Sequence, residues 1–333
     1  MTPDLTVIWA CLIAFGIAAY VVMDGFDLGI GILFPLIPVG KERDTAMNAI
    51  APVWDGNETW LVLGGGGLLA AFPLAYAIIL PALYAPLIAM LLALVFRGVA
   101  FEFRWREPGH RKYWDFAFFA GSAVATLAQG ITLGALLQGI RVDGRAYAGG
   151  WWDWLTPFSL LTGASLMVGY ALLGACWLIW KTEGPLQERA RRLARALALG
   201  LIAAIGAVSL ANPFVLPQYR ARWFDQPGLL VTLPMALLVA AAALALWRSL
   251  GGRRDWLPFA LTILLFLLSM AGLGISIWPD VIPGRITIWQ AAAPYDSQLF
   301  MLVGAVVLLP LILAYTGWAY WVFRGKVGED GYH

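Results

Sequence analysis

Four of the chain's 20 acids sit where their neighbours are apolar: Asp24 and Asp27 in MDGFDLG, and Asp55 and Glu58 in WDGNETW. A carboxylate at the centre of a membrane helix costs about 3 kcal/mol or more unless it is paired, solvated or protonated. Asp24 and Asp27 are spaced i, i+3, which puts both on one helix face. Two carboxylates that close can share a proton, which is the chemistry of a proton carrier. At a wet helix end the same pair would simply be solvated. Asp55 and Glu58 precede an apolar run as Asp-x-x-Glu, the pattern of a capping box with Asp55 as N-cap and Glu58 at the third helical position. The same two acids could collect protons and feed a buried path. The two readings are compatible.

Glycines mark the other unusual positions. Gly25 and Gly29 form a GxxxG pair that lets another helix approach closely. The run Gly64, Gly65, Gly66 and Gly67 costs roughly 3–4 kcal/mol of helix propensity relative to alanine. Close helix packing, or room for a bulky ligand, must offset that cost.

Other chemistry is excluded by residue type. The two histidines are His110, in a connection, and His333, at the C-terminus, so no imidazole is available at membrane depth to ligate a haem. Cys11 and Cys176 fall in apolar runs and suggest neither a disulfide framework nor a metal site. The eight methionines do not by themselves make a haem site, and at least Met90, Met167, Met235 and Met270 read as packing residues. No CxxCH, Walker, HExxH or GxSxG motif occurs where it could work.

The elements that must position the four acids follow from composition. Of 333 residues, 61% are hydrophobic and only 13% charged, against about half and a quarter in soluble globular chains. That excludes a disordered protein, a nucleic-acid binder and almost any soluble enzyme. The expectation is an all-α polytopic membrane protein, a single integral membrane domain over 1–333. Nine spans of about 20 apolar residues are expected, at 6–34, 58–76, 78–100, 114–138, 155–180, 194–214, 228–248, 256–278 and 298–323. Helices are expected because open backbone groups find no partner in hydrocarbon and the runs do not alternate like barrel strands. Two four-helix bundles plus one peripheral helix would accommodate them. The first span is too long to stand upright, so its last third is expected to tilt or turn interfacial. A tight turn is expected between Pro73 and Pro81.

Seventeen of the 22 basic residues fall on one side of these spans, Arg97 and Arg104 being counted among the connections. Arg141, Arg145, Arg220, Arg222 and Arg285 fall on the other. The positive-inside rule then puts the N-terminus outside and the C-terminus in the cytoplasm, which an odd number of spans permits. The stretch Met1–Thr6 lacks a basic n-region, so no cleavable signal is expected. Most of the 17 tryptophans, Trp151, Trp177, Trp278 and Trp321 among them, fall near span ends and read as an interfacial belt.

The segments MDGFDLGIGIL (23–33), AIAPVWDGNETWLVLGGGGLLAAFPLAYA (49–77) and FRGVAFEFR (96–104) resemble subunit II of the cytochrome bd quinol oxidases. Ser297-Gln298-Leu299 and LPLILAYTGWAYWVFRG (309–325) resemble that family's last span. WDGNETW and Trp289-Gln290 are more similar to the cyanide-insensitive branch than to the enteric form, which has Gln where Glu58 stands and Trp-Asp where Trp289-Gln290 stands. The resemblance implies a bacterial inner-membrane heterodimer with a haem-bearing subunit I, leaving room for a small single-span accessory subunit. Haem b and haem d-type groups, and the quinol-oxidising site, would belong to subunit I. This chain would be haem-free, support assembly and bring cytoplasmic protons to the oxygen-reducing site. By motif position Asp55 is the implied proton acid, with Asp27 as helper, and Trp54 the implied contact for a bound quinone. The competing reading from the acids and glycines alone is a proton-coupled secondary transporter working without haem.

Overall fold

The computed structural model describes residues 4–327, so His333 and the first three residues lie outside the description. Long apolar runs can satisfy their backbone only internally, and the chain accordingly folds helix after helix. Helix α1 (Leu5–Leu33) ends in a 3-10 turn over Phe34–Leu36, and α2 (Lys41–Asn48) and the single-turn α3 (Trp54–Glu58) follow. Next come α4 (Trp60–Ala71), α5 (Pro73–Ala82), α6 (Tyr84–Arg106) and α7 (Arg111–Leu137). A small hairpin, β1 (Val142–Asp143) and β2 (Ala146–Tyr147), leads to α8 (Pro157–Lys181) and α9 (Gly184–Val215). The short α10 (Pro217–Phe224) precedes α11 (Leu229–Ser249) and α12 (Leu257–Ile277). A second hairpin, β3 (Asp280–Ile282) and β4 (Ile286–Thr287), then passes through α13 (Ile288–Ala291) into α14 (Tyr295–Val322).

Among the described residues eight helices are long and apolar enough to cross a membrane. The expected span 58–76 is not one of them. It breaks at Phe72, whose φ of −131° and ψ of 62° are not helical, immediately before Pro73. Proline lacks the N–H that would continue the ladder and disfavours a helical residue before it. The crossing is therefore made in two pieces. α4 runs antiparallel to α1, with Gly64 against Ile17 and Gly67 against Ile13. α5 carries the chain on to Leu83, which shares a cavity wall with Gly139, Tyr147 and Pro283 of the hairpin end. The turn back into α6 is at Leu83, while Pro81 lies inside α5. Among the described residues this two-piece path stands beside the eight long apolar helices.

Of the two expectations for the end of the first span, the interfacial one does not hold. α1 stays helical through Asp24 and Asp27, and both are buried against protein rather than released to the interface. The hub of the packing is α8, which touches α1 and α7 on one side and α9 and α12 on the other. Thus α1, α4–α5, α6 and α7 form one bundle, and α8, α9, α11 and α12 the second. α14 stands at the periphery, its most apolar window wholly unburied. The α1–α8 crossing is as close as the GxxxG pair implies, since a Cβ on Gly29 would overlap the Tyr170 carbonyl and one on Gly25 would meet the Tyr170 ring. The four-glycine run only half serves packing: Gly65 and Gly66 face outward with nothing near them.

Trp177, expected in the interfacial belt, is a core residue. Its ring stacks on Phe26 at 4.2 Å and its Nε1 donates to the Ala49 carbonyl at 3.0 Å. Trp151, Trp278 and Trp321 are exposed, as a belt requires. Arg104, counted above among the connections, is buried inside α6. Its Nε donates to Asp115 at 2.6 Å and its guanidinium pairs with Asp44 at 2.7 Å, while Arg43 reaches Asp115 at 2.6 Å. This network clamps α2 onto α6 and α7. The two cysteines are free.

At the same end the tail after α14 is tied to the bundle. Lys326 pairs with Asp255 at 2.8 Å, Arg191 pairs with the same carboxylate, and Val327 N donates to the Lys181 carbonyl at 2.8 Å. Partial burial works against the charge on Asp255, but the hydrogen bond and charge of Lys326, with Arg191, outweigh it and hold this carboxyl below the ordinary range. A group lowered on folding stabilises fully above its unfolded value, near about 3.9, and loses that contribution as pH falls through the lowered one. We expect Asp255→Asn to speed trypsin cleavage after Arg324 or Lys326 at pH 8 several-fold. Acidification of the unaltered protein below pH ~3.9 should release protection of the Val327 amide. Unchanged cleavage would mean that the contacts of the tail with Lys181 and Thr182 hold it without Asp255.

Candidate functional site

The acids converge where α1, α3 and α6 meet, close to the basic end. Tyr20, Asp24 and Asp27 follow one another at i, i+4 and i+7 and share a face of α1. Asp24 and Asp27 are fully buried, so the wet-end reading of this pair does not hold. Arg97, 2% exposed on α6, donates from Nη1 to Asp24 Oδ1 at 2.6 Å and reaches Glu58 from Nη2 at 3.4 Å. Assigning Arg97 to a connection was therefore wrong; it is the buried counter-charge of the site. Asn57 donates from Nδ2 to Asp27 Oδ2 at 2.8 Å and accepts from the Tyr320 hydroxyl of α14 at 2.8 Å. Asp27 Oδ1 has no hydrogen-bond partner among the described residues. Deeper in the bundle Gln129 of α7 donates to the Tyr20 hydroxyl at 2.8 Å and accepts from Tyr170 of α8 at 3.0 Å.

Glu58 is half-buried at the mouth of the cluster. Asp55 lies outside it, exposed at the end of the same turn. Neither forms the expected capping box. The N-cap of α3 is Val53, and Asp55 falls within the first turn, where its side chain makes no cap hydrogen bond. α4 starts afresh from Thr59, also without a side-chain cap. Trp54 lines the site from outside: its ring stacks on Phe101 at 5.1 Å and lies under the Arg97 guanidinium at 5.8 Å.

Sequence reasoning missed Arg97, Asn57 and Tyr320. Arg97 had a usable signal, since a lone guanidinium in ALVFRGVAF requires an acid partner at the same depth. Asn57 stands in the WDGNETW motif already singled out, but nothing in sequence places Tyr320 beside it. No group of three or more His, Cys, Asp or Glu among the described residues could hold a metal ion. His110, the described histidine, is exposed beyond the end of α6. The residues present do not fit an axial haem ligand, and no haem chemistry is derived from this chain.

A family model described as "Cytochrome bd terminal oxidase subunit II" matches residues 5–323. The chain belongs to the cytochrome bd terminal oxidase subunit II family. Among its curated relatives is "Cytochrome bd-I ubiquinol oxidase subunit 2" of Escherichia coli K12, 31% identical, with 98% of this chain and 96% of that one covered. "Cytochrome bd ubiquinol oxidase subunit 2" of Bacillus subtilis 168 is 29% identical, covering 97% and 96%. The fold is shared with a chain of the bd oxidase from Geobacillus thermodenitrificans, at a TM-score of 0.79 and 16% identity over 96% of this chain and 98% of that one. This subunit II chain is thus a polytopic membrane protein whose relatives are second subunits of quinol oxidases. Its buried acid cluster, Asp24, Asp27, Glu58 and Arg97, lies in the segments 23–33, 49–77 and 96–104 that carry the resemblance.

Proposed function

We propose that this chain is the haem-free subunit of a quinol:oxygen oxidoreductase, supporting a haem-bearing subunit I and conducting protons to that subunit's oxygen-reducing site. The observation that carries the reading is the charge balance of the cluster. Asp24, Asp27 and Glu58 face a single guanidinium, Arg97, and Asp27 has only the neutral Asn57 as a direct partner. A buried site cannot hold such a surplus of negative charge, so protons are its natural counter-ions. The route runs from exposed Asp55 past half-buried Glu58 to Asp27 and Asp24. It opens at the basic end, which the positive-inside rule puts in the cytoplasm. Tyr320 joins the cluster to α14, whose outward face is bare. That face and the outward side of α4 at Val62, Gly65 and Gly66 offer an apolar surface to the partner subunit. Trp54, half-buried and packed on Phe101 and Arg97, is the residue against which a bound quinone would lie.

The test is quinol-driven oxygen uptake by the purified complex carrying Asp55→Asn or Glu58→Gln. Both positions are at least partly wet, so both variants should assemble with subunit I and its haems. Turnover is expected to fall several-fold, more for Asp55→Asn than for Glu58→Gln, which installs the residue of the enteric form. A positioned proton carrier contributes about 10²-fold or more, and less where water can substitute. Normal turnover in both assembled variants would remove the proton role. Loss of assembly would make the acids structural.

A further inference from the structure

Beside the first bundle, the second holds an apolar cavity of about 510 Å³ between α7, α8, α9, α11 and α12. Leu137, Leu201, Leu265 and Phe266 are among its walls. Leu210 of α9 and Leu233 of α11 also line it and are exposed on the bundle's outside, so it opens sideways between those helices. Left empty, a space this large would leave its apolar walls without packing partners. Water is a poor occupant, because most of the walls offer it no hydrogen bonds. An alkyl chain from the bilayer suits both the walls and the lateral opening.

One end of the cavity is polar, and one acceptor there is unmet. Asn212 lines the cavity, is 7% exposed, and its Oδ1 has no hydrogen-bond partner. Ser276, its neighbour, cannot supply one. The Ser276 hydroxyl donates to the Gly272 carbonyl at 3.0 Å, while it accepts from Trp223 Nε1 at 2.7 Å and from Asn212 Nδ2 at 3.5 Å. The occupant must therefore bring an O–H or N–H donor. Two arginines stand at the same end. Arg222 donates to the Ser276 carbonyl at 2.5 Å. Arg220 is exposed on α10, three and four residues before Trp223 and Phe224, which both line the cavity, so it shares their face. These are two of only five basic residues at an end where cations are scarce.

We infer that this cavity is a binding site for one phospholipid. An acyl chain fills the apolar walls, the headgroup hydroxyl or ammonium donates to Asn212 Oδ1, and the phosphate lies against Arg220 and Arg222. Phosphatidylglycerol and phosphatidylethanolamine share this chemistry, and separate additions distinguish them. The experiment uses the purified oxidase complex, washed in mild detergent, with lipid extracted and counted by mass spectrometry. Wild type should retain about one phospholipid that Asn212→Leu and Ala204→Phe, which fills the cavity, retain roughly tenfold less often. Arg220→Gln, at an exposed position that the fold tolerates, should weaken retention without altering Tm of the lipid-free complex. Dioleoyl-phosphatidylglycerol or dioleoyl-phosphatidylethanolamine added to stripped wild type should raise Tm, and should not do so in Ala204→Phe. Equal retention in wild type and Ala204→Phe would overturn the inference, as would an isoprenoid quinone recovered in the phospholipid's place.

Discussion

Replacing Arg97 by alanine should leave no assembled oxidase. The substitution removes the cation paired with Asp24 and leaves that carboxylate buried between α1 and α6. Breaking one side of a buried ion pair costs about 3–5 kcal/mol, much of it the penalty for the stranded charge. The loss of Glu58's partner and of the cation over Trp54 adds to it. That sum approaches the whole stability of a typical domain. The measurement is the yield and Tm of chain that co-purifies with a haem-bearing partner. A double variant, Asp24→Leu with Arg97→Met, removes both charges and replaces them with apolar groups of similar volume, an exchange that is often neutral or stabilising. It should restore assembly while oxygen uptake stays at least tenfold down. Arg97→Ala assembling at the wild-type level would show that water or a protonated Asp24 already compensates the pair. A fully active double variant would show that the buried charges serve neither folding nor turnover.

Much of the site was legible because a charge in hydrocarbon is visible in sequence by contrast with its neighbours. Asp24, Asp27 and Glu58 were found that way, and the structure brings all three to one guanidinium. Arg97 was lost by the same logic applied too simply. Apolar windows end where charges begin, so α6 was expected to stop near residue 100 and its arginines to be wet. The helix instead runs to Arg106, because Arg97 and Arg104 point inward to acids on other helices. Pairing is a long-range property, and hydropathy along one strand of sequence cannot register it. Asp55 failed for a local reason. Capping needs an extended residue just before the first turn, and that turn begins two residues early, with Val53 at the cap. Eight of the nine expected apolar runs are, among the described residues, single helices long and apolar enough to cross a membrane. The break at Phe72 was not legible, because a window average is blind to a single missing N–H ahead of Pro73.

The fold's largest single packing liability is Gly29, and Gly29→Val should lower Tm more than any other one-residue change in the first bundle apart from those at the buried charges. A Cβ there would overlap the Tyr170 carbonyl, with the Gly174 amide nitrogen 2.9 Å away. These obstacles are backbone, so no rotamer change relieves them; α1 and α8 must separate. Overpacking a core typically costs about 1–3 kcal/mol, and a clash with backbone belongs at or above the top of that range. Separation would also open the Phe26–Trp177 stack and draw Tyr170 away from Gln129, loosening the chain of hydrogen bonds that ends beside Asp24 on α1. Gly65→Ala is the matched control. Nothing lies within 4 Å of its Cβ position, and alanine favours the helix by about 1 kcal/mol over glycine. Thermal melting of the chain in detergent should therefore fall by several degrees or fail to show a folded state for Gly29→Val, and stay level or rise for Gly65→Ala. If Gly65→Ala instead melts normally yet loses its partner subunit, the outward face of α4 is the surface on which that partner packs. A wild-type Tm for Gly29→Val would mean that α1 and α8 can slide apart freely, and that the acid cluster is held by its charges alone.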